Sequence, residues 1–592
     1  MTFADFAQHL KKIEAVSARL AITAELARLF KDLKPAEVPF AVYLSLGRLV
    51  PDYIPLEFQL SSKMIMRVLT KHLARHPAKY GEGLSVANLF GESDENKYEQ
   101  VVLKLYKQLG DIGETAEKVF EKSHSTRTKP TITAVYQALK VIAESSGVGS
   151  QERKVTGLLE LFEKLDPNSI RFVARMVVGK LRLGFSTMTV LDGLSWTKHG
   201  NKSDTAKLEE LFQRKADLGL LAQTYLAHND FKAAEKAYQI ELGVPIVPAL
   251  CQRLNTAQEI TDKMGKVIVE PKYDGLRIQI HLGEAKGKRW VRSFTRNLEE
   301  TSHMFPELIA NAEILKCKSV ILDGEVVGID KKSGKILAFQ ETSTRRRKHG
   351  VENKAAELPV KFFLFDVLQK DGKSLIDTPL SVRKKMLADM VGGSKVFVVA
   401  PFIVTGDPEE VHRYHDEQLK QGLEGAVIKK YDSVYKSGRK GWRWVKIKEE
   451  EGTSGKLSDT LDCIVMGYYR GRGKRTQFGL GAFLVGLLGK DEKIVTVAKI
   501  GTGLTDEQFR ELKRRIDQHA VNKQPANYEV HKNLLPDGWV EPSLVVEIAA
   551  DEITRSPIHS AGKALRFPRL VKFRDDKNWQ GATTVKELSN IQ

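Results

Sequence analysis

The 592-residue chain is poor in cysteine: it holds three, Cys251, Cys317 and Cys463, far apart and without metal-ligand spacing. That scarcity excludes a disulfide framework and a cysteine-rich zinc module. Long apolar runs are missing too, since none approaches the ~20 residues that a bilayer-spanning helix needs. The opening Met1-Thr2-Phe3-Ala4-Asp5-Phe6 lacks a basic stretch followed by an apolar core and reads as an amphipathic helix with acidic residues, so no secretory signal is expected. Internal repeats and long low-complexity tracts are also lacking. Negative charge is in deficit: 93 Lys and Arg against 75 Asp and Glu leave a net +18. A soluble, intracellular protein follows, without a membrane partner; the pattern does not separate the cytoplasm, with nucleoid association in a prokaryote, from the nucleus. The basic surplus favours a polyanionic partner such as nucleic acid, although any basic soluble protein would share it.

At this length one core is excluded and about three or four domains are expected. Residues 1–235 read as helical, with 3.6-residue periodicity in segments such as Ile170–Val178. Gly184 is placed to end one helix there and Ser186 or Thr187 to cap the next. Lys122–Pro130 is a basic loop containing Arg127, suited to phosphates or simply to solvent. Residues 236–450 change to short β-rich runs separated by Gly, Asp and Lys, the texture of an α+β domain. Glu451-Gly452-Thr453-Ser454-Gly455 reads as a hinge, and residues 451–592 hold short strands with Gly-rich turns, the pattern of a small β-barrel.

The densest signal is Val269-Glu270-Pro271-Lys272-Tyr273-Asp274-Gly275-Leu276-Arg277, a lysine in a tight turn between two β-like runs. Alternation puts Arg277 and Gln279 on the face opposite Leu276, Ile278 and Ile280. A lysine ammonium, with a reference pKa of about 10.4, is a poor nucleophile at neutral pH unless burial or nearby cations depress that value. The bland alternative is a solvated hairpin end.

Downstream lie charged islands on strand ends. Asp323-Gly324-Glu325 points two carboxylates the same way, and Gly422-Leu423-Glu424-Gly425 sets another between glycines before a strand. Singly these are common turns; converging on a phosphate site, they suit Mg²⁺, which prefers oxygen ligands. Trp444-Val445-Lys446-Ile447-Lys448 alternates, with both lysines on one face, as ordinary edge protection or as cations around a phosphate. Phe365, before Asp366 in an apolar strand, suits core packing or stacking on a base.

Taken in order, Glu270–Gly275, Phe294-Thr295-Arg296-Asn297, Asp323–Glu325, Phe365-Asp366, Leu423–Lys429, Trp444–Lys448 and Arg574-Asp575-Asp576-Lys577 resemble the motif series of the ATP-dependent DNA ligases. The likeness extends to Gly110–Gly113, Gly149–Lys154 and Lys180–Gly184, and is nearest to the three-domain archaeal-like replicative type. It implies a helical DNA-binding domain over 1–235, an adenylation domain over 236–450 and an OB-fold domain over 451–592. The implied activity is sealing of 5′-phosphate/3′-hydroxyl nicks in duplex DNA, in replication, repair and recombination, with ATP as AMP donor and Mg²⁺, or alternatively Mn²⁺, as metal. By the same resemblance Lys272 becomes the AMP-carrying nucleophile, and Glu270 and Phe365 receive adenine. Arg277, Arg296 and Glu325 face ribose and phosphate, and Glu325 and Glu424 are the metal ligands. Lys446 and Lys448 neutralise the α-phosphate, while Arg574 and Lys577 close over ATP. Arg127, Arg153, Lys180 and Arg182 are candidate DNA contacts. A monomer acting on nicked double-stranded DNA is expected; a sliding clamp is a further candidate partner, though no clamp-binding peptide is recognisable.

Two departures from the family pattern stand out. Lys440, expected to bind nucleotide, occupies the position, six before Lys446, where an arginine is usual, and the arginine is instead Arg439. Leu250-Cys251-Gln252 replaces an expected Met-Leu-Ala. An RNA ligase or capping-type nucleotidyltransferase would share the lysine chemistry, but the long helical region argues against it. An NAD-dependent ligase is disfavoured by the absence of a four-cysteine cluster. A binding clamp without catalysis would not need Lys272, Glu325, Glu424 and Lys446 together.

Overall fold

The computed structural model describes residues 1–76, 94–121, 128–345, 350–447, 460–471, 478–550 and 552–590. These divide into two compact units, Met1–Lys448 and Glu449–Gln592. The hinge expected at 451–455 lies outside the described residues, as do Arg127 and Lys448.

The first unit opens with helices. Phe3–Glu14 buries Phe3, Phe6, Ala7, Leu10 and Ile13, the i, i+3, i+4, i+7 stripe of a one-sided amphipathic helix, and Thr2 caps it by accepting from the Asp5 N–H. Near Ile170 the expected helix spans Pro167–Val177, capped by Asp166. Gly184 does not end it: residues 180–185 have no regular structure, and the chain turns earlier, at Gly179 with φ of 65°. Ser186 does cap the next helix, Thr187–His199, through a capping box with Thr189. The Phe231–Ala237 helix runs across the expected 235/236 boundary, and the helical and α+β parts form one compact unit.

Eleven described strands follow: β1 (Gln252–Leu254), β2 (Val267–Pro271), β3 (Leu276–Ala285), β4 (Lys288–Thr295), β5 (Val320–Gly328), β6 (Val360–Lys370), β7 (Lys373–Ser374), β8 (Phe397–Val399), β9 (Ile403–Thr405), β10 (Ala426–Lys430) and β11 (Trp444–Ile447). They build two sheets. One has the order β1-β11-β10-β2-β9; the other runs β4-β3-β5-β6-β7, with β8 on β6. Thus β2 and β3 do not form the hairpin that Asp274-Gly275 signals; each joins a different sheet. The reason lies in pairing: β2 is flanked by β9 and β10, and β3 by β4 and β5, so neither has a free edge for the other. Alternation along β3 does hold, with Ile278, Ile280 and Leu282 buried in one core and Gln279 and His281 facing the other way, where they bind the 243–246 segment.

The second unit is strand-rich. Leu461–Tyr469 and Ala482–Leu488 pair antiparallel in an eight-stranded sheet, against whose core the Asp506–Gln518 helix buries Phe509, Leu512 and Ile516. Among the described residues no helix is long and apolar enough to cross a membrane.

Candidate active site

Lys272 occupies the crossing between the two sheets. Its N–H donates to the Gly425 carbonyl at 2.8 Å, and its own carbonyl accepts from the Glu424 N–H at 3.1 Å, extending the β2–β10 ladder by one step. The crossing is tight: a Cβ on Gly275 would sit 2.5 Å from the Val326 carbonyl oxygen, so only glycine lets β3 start against β5 there. The turn carrying Glu424 is held from behind by His415, whose Nδ1 accepts from the Ala426 N–H at 3.1 Å. Gly425, at φ of 83°, keeps that turn left-handed and clear of the imidazole.

A cavity of about 260 Å³ opens over this junction, lined by Glu270, Lys272, Arg277, Arg296, Glu325, Phe365 and Lys446 among others. Burial, then the nearby Lys446 cation, pull the Lys272 ammonium below its ordinary pKa of 10.5, against the opposing Glu325 carboxylate. Its Nζ contacts the Glu424 carboxylate. Burial pushes the Glu325 carboxyl up to about 7, despite the pull of Arg277 and Lys272. Glu325 therefore sits where added positive charge is favourable.

Not every residue of the Asp323-Gly324-Glu325 island faces the cavity chemistry. Asp323 is fully buried and holds Arg277 in a two-pronged ion pair, both contacts at 2.8 Å, while the Tyr435 hydroxyl donates to it at 3.0 Å. Arg277 lines the cavity but is committed to Asp323 and to the Ala249 carbonyl, 3.3 Å away; its guanidinium lies over the rings of Phe365 and Trp444. It acts here as a wall rather than as a free phosphate ligand. Phe365 is 9% exposed and set nearly at right angles to Trp444, so it belongs to a buried cluster and lines the cavity at once.

Glu270, 2% exposed, has two lysines for neighbours: Lys429 at 2.5 Å, and Lys384 from the Leu380–Val391 helix. Burial drives the Lys429 ammonium down to about 7 and the Lys384 ammonium well below its usual value. Sequence reading gave neither lysine a role. Alternation along β10 could have found Lys429, two residues beyond the cavity-lining Val427; nothing local marks Lys384, which arrives by helix packing.

The Arg439-Lys440 exchange resolves in geometry. Arg439 lines the cavity, whereas the Lys440 ammonium turns to Glu209 in the helical part, 3.3 Å away. The expectation that Lys440 binds nucleotide is corrected accordingly: its charge is already paired outside the site. In the second unit, Arg574 and Lys577 converge on one carboxylate, Asp462, at 2.7 Å and 2.6 Å. Of the candidate DNA contacts, Arg153 braces its own loop by donating to the Ser146 and Val148 carbonyls, and Arg182 pairs with Asp111 at 2.9 Å, so both have structural work. Lys180 is exposed.

A recessed lysine with a depressed pKa, set between two sheets beneath a cation-lined cavity, defines the catalytic domain of a nucleotidyltransferase. Comparison with known proteins narrows the class. A model of the ATP dependent DNA ligase domain matches residues 248–448, one of the DNA ligase N terminus matches 2–195, and one of the ATP dependent DNA ligase C terminal region matches 476–577. A probable DNA ligase of Dictyoglomus turgidum is 37% identical, covering 99% of this chain and 97% of the relative. DNA ligase 2 of Thermofilum pendens is 34% identical, covering 99% and 96%. A solved structure described as Pmar-Lig_Pre. shares the fold, with a TM-score of 0.51 at 18% identity over 96% of this chain and 99% of that one. The chain belongs to the ATP-dependent DNA ligase family, whose members seal nicks through adenylate intermediates.

Proposed function

We propose that Lys272 is the residue that carries AMP. Its neutral amine attacks the α-phosphorus of ATP, a P–N bond forms, the bond to the β-phosphate oxygen breaks, and pyrophosphate leaves. The amine proton passes to solvent or to a neighbouring carboxylate. The DNA 5′-phosphate then displaces Lys272 from the AMP, and the adjacent 3′-hydroxyl displaces AMP to close the strand. The observation that carries the reading is the depressed Lys272 pKa at a position fixed by backbone bonds to Gly425 and Glu424.

Lys446 and Arg439 supply positive charge where the α-phosphate would collect it during each transfer. Glu270 and Phe365 receive the base, and Arg296 faces the ribose and phosphates. Glu325 and Glu424 fit a hard divalent cation: Glu325 is a cavity-lining carboxylate with its charge suppressed by burial, and Glu424 is a carboxylate drawn to the Lys272 ammonium. Mg²⁺ bound there would supply Lewis-acid charge for the phosphates. Arg574 and Lys577 orient the pyrophosphate leaving group, and the basic helical part holds duplex DNA by salt-sensitive, sequence-independent phosphate contacts, with Lys180 the exposed candidate.

Incubation with α-labelled ATP followed by denaturing gel electrophoresis tests the assignment. The wild-type band should carry label that chases into sealed nicked DNA, and Lys272→Ala should carry none. Persistent labelling of Lys272→Ala would sink the nucleophile assignment. Parallel reactions with NAD and with nicked RNA duplexes define the substrate class.

A further inference from the structure

A second cluster of ligating side chains lies in the helical part, and the nick-sealing chemistry does not use it. His72 lies in the last turn of the Ser62–Arg75 helix and His76 is the residue just past its end, with the two imidazole rings 4.7 Å apart between centroids. Glu163 is the residue immediately after the Ser150–Phe162 helix. One ligand atom from each of the three lies within 4.8 Å of the others, and His72 Nδ1 is 4.0 Å from the Glu163 carboxylate.

We propose that His72, His76 and Glu163 form a structural site for a divalent transition metal, Zn²⁺ in the first instance. Ligand type selects the metal: two imidazoles and one carboxylate suit Zn²⁺ rather than Mg²⁺, which the all-carboxylate pair Glu325 and Glu424 would favour. Distance agrees. Ligand atoms about 2.0–2.1 Å from a tetrahedral zinc stand roughly 3.4 Å apart, so the His72–Glu163 pair, at 4.0 Å, and the wider separations of up to 4.8 Å close by side-chain rotation, with water completing the shell. Electrostatics agrees as well, because the C-terminal ends of two helices meet here and both present negative dipole ends.

Orientation is prepared on one side. The His72 ring is fully buried and stacks on Phe120 at 3.8 Å between centroids. The occupant of the carboxylate is Arg75, whose guanidinium lies 3.1 Å from the Glu163 oxygen nearest His72 and is half exposed. Arg75 can therefore swing into solvent when a metal takes its place. The metal would staple the C-terminal ends of two helices that share one apolar core and are bridged elsewhere by the ion pairs of Lys71 and Arg67 with Glu152.

The test uses the full-length chain, stripped of metal, in excess Mg²⁺ to fill oxygen-ligand sites. Zn²⁺ titrated by calorimetry should bind at one equivalent and raise the melting temperature, and Co²⁺ should give the visible absorption of a tetrahedral nitrogen/oxygen site. His76→Ala and Glu163→Gln should each weaken Zn²⁺ binding by more than the roughly 10- to 100-fold that loss of an outer-shell partner costs. Arg75→Ala, which removes the competitor and no ligand, should tighten it, and this variant keeps the test decisive if a ligand variant fails to fold. Absence of Zn²⁺ binding, unchanged affinity in both ligand variants, or weaker binding in Arg75→Ala would overturn the proposal. A Co²⁺ spectrum dominated by thiolate charge transfer would do the same.

Discussion

Arg439 and Lys440 are chain neighbours with opposite destinations: the first lines the cavity over Lys272, and the second reaches Glu209 of the helical part, 3.3 Å away. The family's cation at this place is thus supplied one residue early. An arginine offers a planar, two-pronged grip on phosphate that a lysine lacks, so the shift preserves the group that matters. Arg439→Ala should slow self-adenylation by about 10²-fold, the scale of losing one preorganised donor. Lys440→Ala should leave the rate within about threefold, since partly exposed ion pairs contribute ~0–1 kcal/mol. Single-turnover transfer of labelled AMP checks both.

The reactivity of Lys272 rests on burial and on Lys446. Lys446→Met removes the cation and lets the Lys272 pKa climb back toward its ordinary value. The pH–rate profile of self-adenylation should move to higher pH as well as drop in height. A drop without displacement would show that Lys446 acts on phosphate alone.

Asp323, fully buried, neutralises Arg277, whose side chain is 16% exposed and lines the cavity. Asp323→Asn leaves that guanidinium without its counter-charge and weakens the bond from Tyr435. Loss of one partner of a buried pair costs roughly 3–5 kcal/mol, so the Met1–Lys448 unit should unfold at markedly lower denaturant concentration. Chemical denaturation of the variant reads this directly.

His281 is neutral inside the fold: burial takes its pKa down to about 3, and its Nδ1 accepts the Gly243 N–H at 2.9 Å. Because the folded pKa lies below the unfolded one near 6.5, the contribution is whole above 6.5. It is lost as pH falls from there toward 3, at about 1.4 kcal/mol per pH unit. Denaturation midpoints at pH 7.5 and pH 5 should separate for the wild type and draw closer together in His281→Gln.

In the second unit, Asp462 holds both Arg574 and Lys577. Lys577→Ala should impair self-adenylation more than the sealing of a pre-adenylated nick, because only the first step expels pyrophosphate. Comparing ATP-dependent sealing with sealing of a synthetic DNA-adenylate separates the two.

Much of the site was legible because strand periodicity is local. The runs around Glu270, Asp323, Phe365 and Val427 are strands, and alternation grouped Arg277 with Gln279 and Asp323 with Glu325, while it left Phe365 open between core and cavity. Pairing partners are not local, which is why Asp274-Gly275 read as a hairpin and proved to be a crossing. The same limit hid Lys384, whose helix is delivered against Glu270 by tertiary packing, and the commitment of Arg277 to Asp323, which needs the β3–β5 register to be seen. Lys440 misled for a different reason: in the irregular chain before β11, the residue's direction follows from contact with Glu209 and from no pattern at all.

Because β2 and β3 answer to separate sheets, the position of the Lys272 amine is in effect a gauge of the gap between those two sheets within one compact unit. Loosening either sheet would misplace the amine while leaving every other motif intact within its own layer. Inactivation on heating or in mild denaturant should therefore precede loss of secondary structure, and the covalent AMP mark should serve as an early reporter of that slippage.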